Sequence, residues 1–225
     1  MPRSMRVTPG GLVYHVLNRG VGRMQLFYSD GDYQAMLRVV GETLRLVPMR
    51  ICGFCLMPNH WHFLLWPRGD RDLPNFMQRL TNTHVQRWQR FHRRVGDGHV
   101  YQGRYRSFPV QDDDHYFQVL RYVERNALRA NLVERAEQWQ WSSLWPGRRK
   151  DDETWPFERP LKSPADWLDL VNRPQTETEI SAIRGCVARG RPLGGGDWVE
   201  QTAERLGLKT TLRPRGRPRK NEEDT

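Results

Sequence analysis

Two histidines one residue apart, His60 and His62, stand in the stretch "LMPNHWHFLLWP" at residues 56–67. Side chains two residues apart on a strand point to the same face of a sheet, so both imidazoles project together. Imidazole nitrogens bind divalent metals, and the pair therefore predicts part of a metal site. The alternative is two ordinary polar residues on a half-exposed strand, which is the more frequent origin of a bare His-x-His pattern.

A zinc site that combines these histidines with Cys52 and Cys55 is disfavoured by geometry. Residues three apart on a strand face opposite sides of the sheet, so the two thiols do not converge. We interpret both as small core residues. Three cysteines, an odd number, also argue against a disulfide framework and for a reducing compartment.

Tyr116 is the candidate nucleophile. It lies in the first turn of a predicted helix and shares a face with Val119, Leu120 and Val123, so the helix should pack on the sheet with the tyrosine near the histidines. A phenol beside a metal-bound phosphate can attack it, because the metal polarises the phosphoryl oxygen. The alternative is a core-facing tyrosine on an amphipathic helix.

The elements that must position these residues follow from periodicity and turn signals. Strands are predicted over 11–20, 50–57, 61–67 and 104–111, and helices over 32–47, 73–94 and 112–133. This order is the split βαβ pattern. It predicts an α+β, ferredoxin-like or RRM-like four-stranded antiparallel sheet with helices on one face plus a catalytic helix. The histidines are then expected on the open face of the sheet.

Three segments are predicted along the chain. Residues 1–145 form the catalytic domain, and 146–175, rich in proline, charge and tryptophan, a loosely structured connector. Residues 176–225 form a basic C-terminal extension with two short helices. Capping-box spacing at Thr176/Glu179 and Asp197/Glu200 marks where these helices begin.

Charge predicts the partner. The formal net charge is +10 and the pI about 10.1, which favours a polyanion, with nucleic acid first. Nine tryptophans suit stacking on unpaired bases, although core filling is the simpler reading for most of them. The sequence contains no run of about 18 apolar residues that would predict a membrane span, and the N-terminus lacks an apolar signal-peptide core. We therefore expect a cytoplasmic, nucleoid-associated protein with no membrane partner.

Several motifs in order resemble the REP-associated tyrosine transposases, within the single-tyrosine transposases that carry a His-hydrophobe-His motif. They are "YHVLNRG", "CGFCLMPNHWHFLL", "HYFQVLRYVERNALRANLV", "WQWSS" and "RGRPLGGGDW". The resemblance covers most of residues 7–145, and similar C-terminal tails occur in some members.

The resemblance implies a metal-dependent nuclease that cuts single-stranded DNA at short palindromic hairpins. Tyr116 would attack the scissile phosphate and leave a 5′-phosphotyrosine and a free 3′-hydroxyl. His60 and His62 would hold Mg²⁺ or Mn²⁺ on that phosphate. Relatives act as monomers or as homodimers, and the sequence leaves both open.

The chain departs from the family at the third metal ligand. Relatives often carry a glutamine one turn after the tyrosine, where this chain has Leu120, which cannot coordinate. Gln118 lies about 200° around the helix from Tyr116 and is a poor substitute. His15, on the neighbouring first strand, is the best remaining candidate.

Basic residues are the predicted DNA contacts. The tail "RPRGRPRK" resembles an AT-hook, in which arginines enter a narrow minor groove; the alternative is a solubilising basic terminus. If DNA lies across the sheet, further arginines on the second predicted helix and near the fourth strand reach its backbone, although each one alone is more often a solvated charge. The full set is Arg87, Arg90, Arg93, Arg94, Arg104, Arg106, Arg213, Arg215, Arg217, Arg219 and Lys220.

Two other functions compete with the transposase. A catalytically inactive hairpin-binding protein, kept for regulation or genome organisation, fits Leu120 and the AT-hook-like tail. A plasmid-type relaxase or replication initiator fits less well, because the chain is short and offers one well-placed tyrosine.

Overall fold

The computed structural model describes residues 7–147 and 155–213. Within them the chain forms four strands and eight α-helices, with two short 3-10 turns at Val21–Arg23 and Ala136–Gln138. In chain order the elements are β1 (Val13–Arg19), α1 (Asp30–Leu46), β2 (Arg50–Met57), β3 (His60–Trp66), α2 (Asp72–Phe91), β4 (Arg106–Val110), α3 (Asp114–Glu124), α4 (Asn126–Arg129), α5 (Trp167–Asn172), α6 (Glu177–Arg189), α7 (Gly196–Arg205) and α8 (Lys209–Leu212). None of the helices in this part of the chain is both long and apolar enough to cross a bilayer.

The sheet confirms the predicted α+β class. Its strand order is β2-β3-β1-β4, and every neighbouring pair is antiparallel. Strands β2 and β3 form a hairpin closed by the two turn residues Pro58 and Asn59. The register places Leu17 of β1 opposite His62 of β3, which brings the ends of these central strands together.

Both faces of the sheet are covered. Helices α1 and α2 pack on the side chains of Tyr14, Val16, Phe54 and Trp61, which form the first hydrophobic cluster. Helices α3, α5 and α6 bury the other face in a second cluster. The expectation that the histidines lie on an open face was therefore wrong, because α3 and the C-terminal part of the chain cover the face that carries them.

The segment after residue 145 is more ordered than its composition predicts. The connector contains α5, and Trp167 at its start is 7% exposed within the second cluster. The capping box at Thr176 and Glu179 is confirmed, since each backbone amide bonds the other residue's side chain. The second one was wrong: α7 begins at Gly196, and its cap residue is Gly195, which lies two residues before Asp197 and has no side chain to cap the helix.

The C-terminal part also covers both edges of the sheet. Phe157 forms a parallel bridge with Ile51 on edge strand β2. On the opposite edge, Leu193 forms a parallel bridge with Val110 of β4. The Leu193 amide donates to the carbonyl oxygen of Pro109 at 3.0 Å, and the Leu193 carbonyl oxygen accepts from the Gln111 amide at 2.9 Å.

Candidate active site

His60 and His62 open strand β3, next to the end of β1. Their ring centroids lie 5.0 Å apart with the planes at 81°, so the two imidazoles adjoin each other on one face of the sheet. His62 is buried at 4% exposure and His60 is half-buried. The prediction that His60 and His62 project from the same face of the strand is therefore confirmed.

Each of these histidines has its Nδ1 in a hydrogen bond. Nδ1 of His60 lies 2.6 Å from Oδ1 of Asn59, and Nδ1 of His62 lies 2.9 Å from Nε2 of His15. A carboxamide oxygen only accepts, so His60 donates from Nδ1 and keeps a lone pair on Nε2. Engagement of one ring nitrogen by a neighbour is the usual arrangement of metal-binding histidines.

Burial keeps these imidazoles neutral. It lowers the pKa of His60 to about 4, helped by the nearby charges of Arg19 and Arg129. Burial also holds the pKa of His62 well below its usual value, with His60 and His15 adding to the effect. Since the neutral imidazole is the form that binds metal, the pair is in that form across the neutral pH range.

The tyrosine that meets the histidines is Tyr122, in the last turn of α3. Its ring centroid lies 5.9 Å from that of His62 and 6.1 Å from that of His15, with nearly perpendicular planes in both cases. The guanidinium carbon of Arg129 lies over this ring, 4.0 Å from its centroid. Histidines and arginine together hold the phenol in place at the site.

Tyr116 does not meet the histidines, and the expectation that it lies beside them was wrong. Its side chain is fully buried, and its hydroxyl lies beside the Cys52 thiol, toward the opposite end of β2 from the residue that pairs with His62. Burial raises the pKa of this phenol far above its usual value. Because six residues separate Tyr116 from Tyr122, their side chains point about 120° apart around the helix, and only Tyr122 faces the histidines.

Asn126 takes the position that the sequence analysis assigned to Leu120. It follows Tyr122 by four residues, as Leu120 follows Tyr116, and it begins α4 directly after the last turn of α3 that carries Tyr122. Asn126 is 4% exposed; its Oδ1 accepts a 2.7 Å hydrogen bond from Arg129, and its buried Nδ2 has no hydrogen-bond partner. Leu120 is a fully buried core residue.

His15 is not placed as a third metal ligand. Its Nε2 is directed at Nδ1 of His62, and its Nδ1 is buried without a hydrogen-bond partner. The planes of the two rings differ by 11°, and their centroids lie 5.1 Å apart. This separation equals the 2.9 Å hydrogen bond plus the distance from centroid to nitrogen in each ring, so the two rings lie in line with the bond between them. Two lone pairs that point at each other cannot both point at one cation between the strands.

The donor set that remains fits Mg²⁺ or Mn²⁺. It consists of Nε2 of His60, Nε2 of His62 and the amide oxygen of Asn126, which mixes imidazole with a hard oxygen ligand. No three His, Cys, Asp or Glu side chains within residues 7–147 and 155–213 come together as a metal site. An amide oxygen is one hard donor that could complete the set, and the buried amide of Asn126, whose Nδ2 has no hydrogen-bond partner, lies four residues after Tyr122.

Sequence reasoning missed Tyr122, Asn126 and Arg129 as one unit. The signal was present, because their spacing of four and three residues puts all three on one face of the helix predicted over 112–133. The quoted motif "HYFQVLRYVERNALRANLV" contains all three residues, but with the tyrosine misplaced by six residues Asn126 and Arg129 were given no role.

The predicted DNA contacts are spread over several surfaces. Arg87 is paired with Glu42 through two hydrogen bonds of 2.9 and 2.7 Å, and Arg94 with Asp97 at 2.9 Å. Arg87 and Arg90 lie in the last turns of α2, and Arg93 and Arg94 follow its end, all on the side of the sheet opposite the histidines. DNA lying across the sheet is therefore not possible, because helices cover both faces.

Arg104 and Arg106 flank the start of β4 and are both exposed. Arg104 lines a groove of about 1020 Å³ between α2 and residues 98–105, on the α2 side of the sheet. Of the tail, Arg213 is exposed and its carbonyl accepts a hydrogen bond from Arg189. Arg215, Arg217, Arg219 and Lys220 lie outside the described residues, and their role stays a prediction.

The C-terminal part holds the outer side of α3. Glu124, fully buried at the end of α3, accepts hydrogen bonds from Arg159 at 2.8 Å, Trp167 at 2.7 Å and Ser143 at 2.7 Å. Arg121 donates to the carbonyl oxygens of residues 173 and 174, at 2.8 and 3.0 Å. The helix that carries Tyr122 is thus fixed from both sides, by the sheet and by the connector.

Comparison with known proteins gives a family. Residues 10–126 match the family described as "Transposase IS200 like", over about half of the chain. Among curated proteins, none matches significantly. Two solved structures are similar at 18% identity. One is a REP-associated tyrosine transposase bound to a REP hairpin (TM-score 0.49, 72% of this chain and 100% of that chain). The other is a proposed transposase from Deinococcus radiodurans R1 (TM-score 0.39, 55% and 96%).

Proposed function

The chain belongs to the IS200-like transposase family, and on that premise we propose that it cleaves and rejoins single-stranded DNA at REP-like hairpins with Tyr122 as the nucleophile. The observation that carries the proposal is the contact of the Tyr122 ring with the His15–His62 pair. Among the described tyrosines, it is the one whose ring contacts a predicted metal-binding histidine.

In the proposed reaction, the phenolic oxygen of Tyr122 attacks the scissile phosphorus. The bond from phosphorus to the 3′ oxygen breaks, the 3′ oxygen takes up a proton, and the 5′-phosphate stays on the tyrosine. A phosphodiester is exchanged for a phosphotyrosine ester, so rejoining to another 3′-hydroxyl needs no ATP.

Each side chain of the site has a part in this step. His60 and His62 offer Nε2, and Asn126 its amide oxygen, to a divalent cation. When bound, Mg²⁺ or Mn²⁺ polarises a phosphoryl oxygen and offsets the charge that develops there. Arg129 holds the Tyr122 ring and adds a positive charge where the phosphate enters.

Single-stranded DNA as substrate is supported by the charge of +10 and by the sequence resemblance. His60, His62, Tyr122 and Asn126 all come from one chain, so the proposed site needs no second copy to be complete. This arrangement supports a catalytic monomer.

The rival function, a non-catalytic hairpin binder, loses its main argument. That argument was Leu120 in place of a third ligand, and the relevant position is Asn126. Its remaining support is the AT-hook-like tail, most of which lies outside the described residues.

The test is covalent adduct formation on hairpin oligonucleotides with single-stranded flanks, with Mn²⁺ or Mg²⁺, on denaturing gels. The wild type and Tyr116→Phe should both form a protein–DNA adduct, and Tyr122→Phe should form none. The reverse pattern would return the nucleophile to Tyr116. Tight binding by the wild type without any adduct would establish the non-catalytic binder.

A further inference from the structure

His15 has no function so far, although it is a fully buried histidine in contact with the site. The ring centroid of His15 lies 5.0 Å from that of Phe108 on β4 and 6.1 Å from that of Tyr122 on α3. The one hydrogen bond that the His15 side chain makes is to Nδ1 of His62. A packing residue at this place needs no nitrogen, and a buried polar group without full partners destabilises the fold. The orphaned Nδ1 of His15 is such a group.

The in-line arrangement of the two rings allows one proton between them. If the proton sits on Nδ1 of His62, then Nε2 of His62 keeps its lone pair and is free to bind a cation. If it sits on Nε2 of His15, then neutral His62 carries its own proton on Nε2 and cannot bind one. Whether His62 is a ligand thus depends on which ring donates.

We propose that His15 is a positioning residue that accepts the hydrogen bond from Nδ1 of His62 and so selects the tautomer of His62 whose Nε2 binds the divalent cation. Asn59 does the same for His60, where the carboxamide oxygen leaves no choice of donor. The two histidines are therefore oriented by partners of different kinds, a fixed acceptor for His60 and an imidazole for His62.

This inference rests on the proposed cation site but not on DNA cleavage, so it is tested without DNA. Mn²⁺ affinity is measured by the electron paramagnetic resonance signal of the free ion, for the wild type, His15→Leu and His15→Gln. Leucine fills the space without an acceptor, whereas glutamine places a carboxamide oxygen near the former Nε2. His84→Gln is the matched control, because His84 is equally buried, at 3% exposure, in the other cluster, bonded to Tyr101.

Loss of such a second partner typically weakens metal binding about 10–100-fold. We expect His15→Leu to weaken Mn²⁺ binding by at least about tenfold, and His15→Gln to remain within about threefold of the wild type. The control should bind Mn²⁺ as the wild type does. Equal affinity of His15→Leu and wild type, or equal weakness of the leucine and glutamine variants, would overturn the proposal, as would a wild type that binds no Mn²⁺.

A second measurement on the wild type does not depend on how the variants fold. Nitrogen-15 spectra of the histidine rings, recorded with Mg²⁺, should show His62 protonated on Nδ1 and bare on Nε2. A proton on Nε2 of His62 in the Mg²⁺-loaded protein would rule the proposal out. If no adduct forms while these results hold, the proposed function is removed and the role of His15 remains. If the adduct forms while these results fail, the proposed function remains and the role of His15 is removed.

Discussion

Replacing Glu124 with alanine should separate the C-terminal part of the chain from helix α3. The carboxylate of Glu124 is fully buried and receives three hydrogen bonds, two of them from residues of the connector, Arg159 and Trp167. Burial raises its pKa, and the Arg159 charge and these hydrogen bonds oppose that rise. Alanine removes the one group that joins the three donors.

The expected loss of unfolding free energy follows from the hydrogen bonds that the three donors lose. Breaking a buried ion pair by removing one partner destabilises a protein by about 3–5 kcal/mol. Arg159 retains 22% side-chain exposure and can turn toward water, whereas the indole nitrogen of Trp167 is left buried and unpaired. We therefore expect a loss of about 3–4 kcal/mol in the free energy of unfolding. Trp167→Phe, which removes a single hydrogen bond to a charged group, should lose about 2 kcal/mol.

The assay is urea denaturation, combined with limited proteolysis of the native protein. Glu124→Ala should lower the midpoint and make residues 155–213 cleavable under conditions where the wild type resists. Glu204→Ala, which removes an exposed carboxylate paired with Lys209, should change neither. A loss below about 1 kcal/mol for Glu124→Ala, with the extension still protected, would refute the view that this carboxylate joins the two parts.

Three further results are expected. Asn126→Asp should bind Mn²⁺ more tightly than the wild type and Asn126→Leu at least about tenfold more weakly by calorimetry, because a ligand oxygen gains charge or is lost; equal affinities would remove Asn126 from the site. Burial lowers the pKa of His84 to about 4, so protonation favours the unfolded chain and stability should fall as the pH drops from 6.5 toward 4, by about 1.4 kcal/mol per pH unit for this residue. In urea titrations at pH 7 and 5, His84→Gln should lose less unfolding free energy between the two pH values than the wild type does. An equal loss in both proteins would contradict the lowered pKa of His84. Gly53→Ala should lower the melting temperature, because its Cβ would lie 2.5 Å from Cδ1 of Leu120; an unchanged melting temperature would show that Leu120 moves freely.

Local patterns predicted the sheet well. Alternation along β3 placed His60 and His62 on one face, and the turn residues Pro58 and Asn59 fixed the hairpin that carries them. Both features depend on residues next to each other in the chain. The capping box at Thr176 was predictable for the same reason.

The choice between Tyr116 and Tyr122 was not local. Both lie on α3 and both are buried, so amphipathicity assigns either to the sheet. What decides between them is how α3 crosses the strands, and that is set by contacts made from far along the chain, such as Trp167 and Arg159 on Glu124. The spacing of Tyr122, Asn126 and Arg129 was the better guide, because chemistry at a helix face needs several residues on that face.

The two bridges at Phe157 and Leu193 have a consequence for solubility. An uncovered edge strand presents free amides and carbonyls and is a template for intermolecular pairing. In this chain the edges β2 and β4 are each partnered by a short stretch of the C-terminal part. In a fragment that ends at residue 145, every residue of the proposed site would remain, and Trp141 and Ser143 would still bond Leu56 and Phe54 on β2. The β4 edge and the apolar side of α3 would be bare, so such a fragment should aggregate rather than act as a smaller enzyme.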